Sequence, residues 1–371
     1  MPTAVVLGAG MVGSLIARDL ASDGDWTVTV VDRDAAALER VRGASGDRIA
    51  VRPADCSDPA AIGAAVEGAD VVCGALASRL GFATLRTIIE AGKPYCDISF
   101  MPEDALELDA LARERGVTAV VDCGVAPGMS NLLAGEAVRQ LDRTDTIRIL
   151  VGGLPRLRHK PWEYKAGFAP SDVIEEYVRP ARIVQGGRTV VREPLSEIEP
   201  VDVPGVGTLE AFLTDGLRSL TRTLEVPDMV EKTMRWPGHA ELMRALRDTG
   251  FFGEEPIEVG GVRVSPLALT SALLFPKWTF GPGEGDITVM RVEAGGTADG
   301  RPVHLRWDLH DEHDAATDTR SMSRTTGFPC AIVARMLAAG RLRHPGVLPP
   351  ERLPEIDPGI TGEILAGLES R

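Results

Sequence analysis

The sequence predicts an α/β fold: a doubly wound parallel sheet, followed by an α+β second domain with a mixed or antiparallel sheet. Three observations carry it. Residues 5–32 follow the order strand, Gly-x-Gly-x-x-Gly turn, helix, strand, acidic residue. As far as Cys123, β-branched and apolar runs then alternate with apolar residues at helical spacing. From Thr146 to about Trp307 the chain is dominated by alternating or β-branched runs with few helices among them, the pattern of a mixed or antiparallel sheet.

The opening turn accounts for the first observation. Val5-Val6-Leu7 leads into Gly8-Ala9-Gly10-Met11-Val12-Gly13, and a second run, Thr27–Val31, ends at Asp32. Gly8 allows the sharp turn off the strand, and Gly10 has no side chain to hold a pyrophosphate away from the backbone. Gly13 permits close packing of helix on sheet, with Met11 and Val12 in the first turn beside the phosphates. Asp32, nineteen residues beyond Gly13, is placed to accept hydrogen bonds from a ribose 2′-hydroxyl. The unit is a dinucleotide site of the Rossmann type, with NAD expected over NADP because Asp32 repels a 2′-phosphate. Arg33 partly offsets that repulsion.

The alternation continues through a helix at Ala35–Val41, a strand at Ile49–Val51 and the polar run Asp55-Cys56-Ser57-Asp58. That run is either a wall for the adenine, through Asp55 and Cys56, or a cap for a helix from Pro59. Asp70–Ala77 reads as a buried strand whose small end, with Ala75 and Leu76, leaves room for the nicotinamide half or for tight helix packing. Strands at Tyr95–Ser99 and Thr118–Cys123 complete six, with the order 3-2-1-4-5-6, and bring Asp97 and Asp122 to the cofactor crevice beyond the strand ends.

Gly124–Asn131, with two glycines and a proline, reads as the hinge. The nucleotide domain is expected over 1–127, with a helix at about 326–342 returning to it. A substrate-binding and oligomerisation domain is expected over 128–325, and a surface tail over 343–371. Second-domain strands are expected at Ile147–Gly152, Ile183–Val191, Gly261–Val264, Ile287–Ala294 and Val303–Asp308, with helices at Ser171–Val178 and Pro237–Asp248.

Composition narrows the class of partner. Hydrophobic residues make up 44% and charged residues 25% of 371, the profile of a globular protein. The formal charge of −14 argues against nucleic acid or an anionic membrane. No apolar run reaches the ~18 residues of a membrane span, and the first strand begins too early for a signal peptide; a cytoplasmic location is expected. The five cysteines show no Cys-x-x-Cys pair or zinc spacing, so neither a metal nor a disulfide is expected.

Five stretches resemble the saccharopine dehydrogenase family, and within it the lysine 6-dehydrogenase branch: Gly8–Gly13; Tyr95-Cys96-Asp97-Ile98-Ser99; Asp122–Asn131; Tyr164-Lys165 through Glu175-Glu176-Tyr177; and Thr233–His239. The resemblance implies NAD(P)-dependent chemistry at a carbon–nitrogen bond of a small amine or amino acid, in a homodimer or higher homo-oligomer. Saccharopine-forming members tend to carry an acidic residue before the proline of the Gly-x-x-Pro-Gly turn, whereas this chain has Ala126. That departure favours NAD-dependent deamination of the L-lysine side-chain amine, or that of a close relative, over reductive condensation of an amine with a carbonyl acid. A non-catalytic nucleotide-binding protein is the third reading.

Deamination needs a base for the ammonium, a path for hydride and an anchor for the α-carboxylate. Arg235 is the expected anchor, since a guanidinium matches a carboxylate with a planar fork; the competing role is a surface ion pair. Lys165, then His239, then Tyr164 are the candidate proton acceptors. Asp97 and Asp122 are placed to hold the ammonium or, alternatively, to cap helices, and Tyr95 joins them on the substrate side.

Overall fold

The computed structural model describes residues 1–371, which divide into two compact units: residues 1–139 with 323–371, and residues 140–322.

The first unit alternates strand and helix as the apolar spacing dictates. Its elements are β1 (Thr3–Leu7), α1 (Met11–Ser22), β2 (Thr27–Asp32), α2 (Ala35–Ser45), β3 (Ile49–Pro53), α3 (Pro59–Val66), β4 (Val71–Gly74), α4 (Ser78–Glu90), β5 (Tyr95–Asp97), α5 (Asp109–Glu114), β6 (Thr118–Val120) and α6 (Met129–Gln140). The strands pair in parallel in the order 3-2-1-4-5-6, and a seventh lies beyond β6. Central strands such as β4 and β5 are buried throughout, which is why they read as unbroken apolar runs. Asp34 and Asp58 each accept an N–H two residues on, at the starts of α2 and α3.

The second unit comprises β7 (Arg143–Pro155), α7 (Pro170–Val178), β8 (Ala181–Gln185), β9 (Arg188–Arg192), β10 (Glu199–Val203), β11 (Gly207–Leu213), α8 (Leu220–Thr223), β12 (Asp228–Arg235), α9 (His239–Thr249), β13 (Ile257–Val259), β14 (Val262–Val264), α10 (Pro266–Trp278), β15 (Asp286–Ala298) and β16 (Arg301–Glu312). Its main sheet is mixed. The path runs β10-β11-β12-β7-β15-β16, with β12 parallel to β7, the remaining pairs antiparallel, β8 attached at β12, and β9 paired to β8. Tyr164, Tyr177, Phe212, Met243 and Trp278 belong to one core cluster of this unit.

The chain then returns to the first unit with α11 (Ser321–Ala338), β17 (Gly346–Leu348), α12 (Leu353–Ile356) and α13 (Ile360–Glu369). Three expectations need correcting. The stretch after residue 343 is not a surface tail, because β17 is the seventh strand and Leu353, Ile360 and Ile364 are buried. Helix α6 belongs almost wholly to the first unit, so the division falls after residue 139 rather than at 127. Ile183–Val191 is a hairpin, broken where Gly186 and Gly187 take positive φ. No helix is long and apolar enough to cross a membrane.

Candidate active site

In the first unit the glycine turn has the geometry its sequence demands. Gly8 has φ +109° and donates its N–H to Val31 O at 2.8 Å. A Cβ at Gly8 would lie 2.3 Å from Ala75 O, and one at Gly13 would lie 2.1 Å from Gly8 O, so neither position admits a side chain. At Gly10 a Cβ would meet nothing within 4 Å, leaving open space over the N-terminus of α1, which no side chain caps. Open backbone at a helix N-terminus is the surface a pyrophosphate requires; Met11 is exposed there and Val12 is buried.

Asp32 braces this turn. Its Oδ2 accepts the Ala9 N–H at 2.7 Å and its Oδ1 the Asp34 N–H at 2.8 Å, fixing a carboxylate at the end of β2. Arg33 is exposed beside it. Asp55 accepts hydrogen bonds from the N–H and hydroxyl of Ser57, which hold its carboxyl below the usual range. Cys56 needs correcting as an adenine contact. Its side chain lies in the core, where burial pushes the thiol up to about 11. Ala75 donates its N–H to Leu7 O, and Leu76 packs half-buried against the same core.

Beyond β5, Asp97 accepts the N–H and the hydroxyl of Ser99 at 2.9 and 2.6 Å. Beyond β6, Asp122 is buried with φ +50°, a left-handed backbone uncommon outside glycine. The Cys123 N–H bonds to Asp97 O at 2.7 Å, which ties the two strand ends together. Tyr95, expected on the substrate side, is a core residue instead. It is 1% exposed, its phenol is pushed up by burial and by the nearby Asp97, and its hydroxyl fills the space a Cβ at Gly74 would take. Asn131 adds a feature that its place in the hinge did not suggest: its Oδ1 accepts the Ser130 hydroxyl, while its fully buried Nδ2 has no partner.

In the second unit, the residues expected to contact substrate form a closed network. Arg235, 3% exposed, reaches Glu176 at 2.7 Å and Met234 O at 3.1 Å, and its guanidinium lies 4.9 Å from the centre of the Tyr164 ring. His239 Nε2 lies 2.8 Å from the Tyr177 hydroxyl, and its Nδ1 lies 3.4 Å from Trp162 O. Burial, and then the Arg235 charge, lowers His239 to about 3. The ring is therefore neutral, with Nδ1 protonated toward Trp162 O and Nε2 accepting from Tyr177, a tautomer assigned from the network. Tyr164 is 3% exposed and its phenol is pushed up by burial.

Three expectations are corrected on these grounds. Arg235 is committed to Glu176 and is not a free carboxylate anchor. Neither His239 nor Tyr164 is an accessible base at neutral pH. The partners that close this network, Glu176 and Tyr177, are set by helical spacing on α7, which the sequence shows without showing what they face.

Lys165 differs. Its Nζ bonds to Glu284 Oε2 at 2.6 Å and Thr279 O at 2.9 Å, and it lies 5.9 Å from the centre of the Phe280 ring. The other cation at that ring is Arg320, 4.9 Å from its centre, with a buried Nε that has no hydrogen-bond partner. The Arg235 Nε is also buried without a partner, but its guanidinium is paired with Glu176, a pairing that Arg320 does not make.

A parallel sheet with a glycine turn, an acidic residue after β2 and open helix N–H groups is the geometry of a dinucleotide-binding site. The comparisons agree. The chain matches the saccharopine dehydrogenase NADP binding domain over residues 4–120 and the saccharopine dehydrogenase C-terminal domain over residues 124–371. It belongs to the saccharopine dehydrogenase family, whose members are NAD(P)-dependent oxidoreductases acting on CH–NH groups. It is 22% identical to carboxyaminopropylagmatine dehydrogenase of Synechocystis sp., over 96% of this chain and 94% of that one. It is also 22% identical to carboxynorspermidine synthase of Vibrio cholerae, over 94% and 91%. Among solved structures, apo saccharopine dehydrogenase (L-Glu forming) from Saccharomyces cerevisiae shares the fold, with a TM-score of 0.81 at 19% identity over 100% of this chain and 97% of that one.

Proposed function

We propose that the protein is a reductive condensing dehydrogenase. It joins a primary amine to a carbonyl compound that carries a carboxylate, and it reduces the resulting imine to a secondary amine. The observation that carries this reading is Arg320, a guanidinium in the second unit with a buried, unpartnered Nε and no carboxylate of its own. The full-length likeness to two enzymes named for carboxylated amines supports it.

The chemistry divides among residues as follows. The glycine turn and the N-terminus of α1 hold the pyrophosphate, and Asp32 receives the ribose hydroxyl, favouring NAD. A reduced nicotinamide held there would supply the hydride that the imine carbon needs. Arg320 holds the carboxylate of the carbonyl partner, fixing the reacting carbon in place. Lys165, with Glu284 at 2.6 Å, is the proton-carrying pair for loss of water from the condensed amine. Asp97 and Asp122 are the carboxylates for the cationic amine.

A second reading, deamination of the L-lysine side-chain amine in the manner of a lysine 6-dehydrogenase, is favoured by Ala126 before Pro127. The two readings separate in one assay. Condensation oxidises NADH only when an amine (lysine, agmatine or a diamine) and a carbonyl acid are both present. Deamination reduces NAD with the amine alone, and that result overturns the condensation reading. Arg320→Met should raise KM for the carbonyl acid at least tenfold and leave KM for the amine within twofold.

A further inference from the structure

The first unit contains a cluster that the proposed chemistry does not use. Cys73 on β4, Cys96 on β5 and Cys330 on α11 are each 0% exposed. Cys73 and Cys96 face each other across parallel strands in register, with their sulfurs 3.6 Å apart. The Cys330 sulfur lies 3.4 Å from that of Cys96, and all three sulfurs fall within 4.8 Å of one another. Cys96 and Cys330 are 234 residues apart, so sequence spacing carries no trace of the cluster. No zinc pattern was expected for that reason.

Three thiols can meet in a core as packing alone, each behaving as a small hydrophobe. Their convergence has a second consequence. A trigonal all-sulfur site with metal–sulfur bonds of about 2.3 Å spaces its sulfurs about 4 Å apart; two of the separations here, 3.4 and 3.6 Å, lie a few tenths below that value and the third is no more than 4.8 Å. The ligand set selects the ion, because thiolates without oxygen or nitrogen ligands favour soft cations over magnesium, calcium or manganese. We propose that Cys73, Cys96 and Cys330 form a binding site for a soft thiophilic cation, with Cu(I) as its three-coordinate occupant. Each thiol that binds gives up its proton to solvent, and no electron is transferred.

Cys330 also contacts Cys123, which is the nearest source of a fourth sulfur for an ion such as Zn(II) that prefers four ligands. Because the cluster joins two central strands to the returning helix, an ion there crosslinks chain segments that are remote in sequence. It should therefore raise stability by mass action.

The test uses the full-length reduced protein without oxygen, titrated separately with chelator-buffered Cu(I) and Zn(II). One equivalent of Cu(I) per chain should give a sulfur-to-metal charge-transfer band, three sulfur neighbours by X-ray absorption and a higher Tm. Cys330→Ala should lower Cu(I) affinity at least 100-fold. If that variant does not fold, wild-type protein partly opened in denaturant should show three thiols protected from alkylation by Cu(I). Zn(II) binding with four sulfurs would place Cys123 in the site and overturn the three-coordinate assignment. A folded protein that takes up neither ion at a one-to-one ratio, or whose signal survives Cys330→Ala, shows the thiols to be packing only.

Discussion

The two units treat their polar residues in opposite ways. In the first, charge and open backbone lie at strand ends and at a helix N-terminus, and each feature is local in sequence: Gly8, Gly10, Gly13 and Asp32 fall within 25 residues. In the second, charge has been drawn into the core. Arg235, His239 and Glu231 are each at most 3% exposed and rely on partners from distant elements. A short sequence pattern reports the first arrangement well and the second badly, because buried partnership is a property of the fold.

The largest expected effect tests the first half of that comparison. Gly13→Ala places a Cβ 2.1 Å from a backbone oxygen that cannot yield without moving the turn. Dinucleotide affinity should fall more than 100-fold, and fluorescence titration with NADH measures it. Unchanged affinity would show that the turn is not the cofactor site.

Arg235→Met tests the second half. It leaves Glu176, whose side chain is only 17% exposed, without its cation, and breaking such a pair costs up to about 3–5 kcal/mol when it is fully buried. Denaturant unfolding should show a loss of that order. Lys165→Met, where the ion pair is partly exposed, should instead lower kcat with less than about 1 kcal/mol of destabilisation. If Arg235→Met folds with full stability and only KM rises, Arg235 is a substrate anchor after all.

The same contrast explains what could be read from the sequence. The order 3-2-1-4-5-6 follows from alternating strands and helices, since parallel strands need crossovers and right-handed crossovers leave few arrangements. The seventh strand escaped because Gly346-Val347-Leu348 is short and lies among prolines, and only pairing with β6 makes it a strand. Arg235 reads as a carboxylate anchor in the Thr233–His239 stretch, whereas on β12 Glu231, Thr233 and Arg235 turn one face into a polar core. Val230, Lys232 and Met234 occupy the other face of β12. The thiol cluster was invisible for the plainest reason, the distance between its members along the chain.

Buried titration in the second unit gives a smaller effect with a defined sign. Burial raises the Glu231 carboxyl to about 8, although Thr214 and Gly216 donate hydrogen bonds to it. The native state thus holds a proton that the unfolded chain loses above about 4.5, and stability falls as pH rises toward 8. His239, depressed to about 3, acts in the reverse sense and only below its unfolded value near 6.5, where stability falls as pH drops. Between pH 6.5 and 8 Glu231 therefore acts without opposition from His239, with a slope of up to about 1.4 kcal/mol per pH unit. Glu231→Gln should flatten chemical-denaturation stability over that window; an unchanged slope would assign it to another group.

The smallest effect concerns cofactor choice and returns to the unit where sequence and structure agree best. Asp32 holds the glycine turn through Ala9 and, on the proposed reading, also sets a negative charge against a 2′-phosphate. These two roles separate on substitution. Asp32→Asn removes the charge; its one amide oxygen can still accept the Ala9 N–H that holds the turn, at the loss of the bond from the Asp34 N–H. The NAD-to-NADP preference in kcat/KM should then fall about tenfold, equivalent to about 1.4 kcal/mol, chiefly through a lower KM for NADP, because Arg33 is left beside a neutral residue. Asp32→Ala loses the brace as well and should weaken both cofactors together. If wild-type protein already prefers NADP, Arg33 outweighs Asp32, and the preference should reverse in Arg33→Ala rather than in Asp32→Asn.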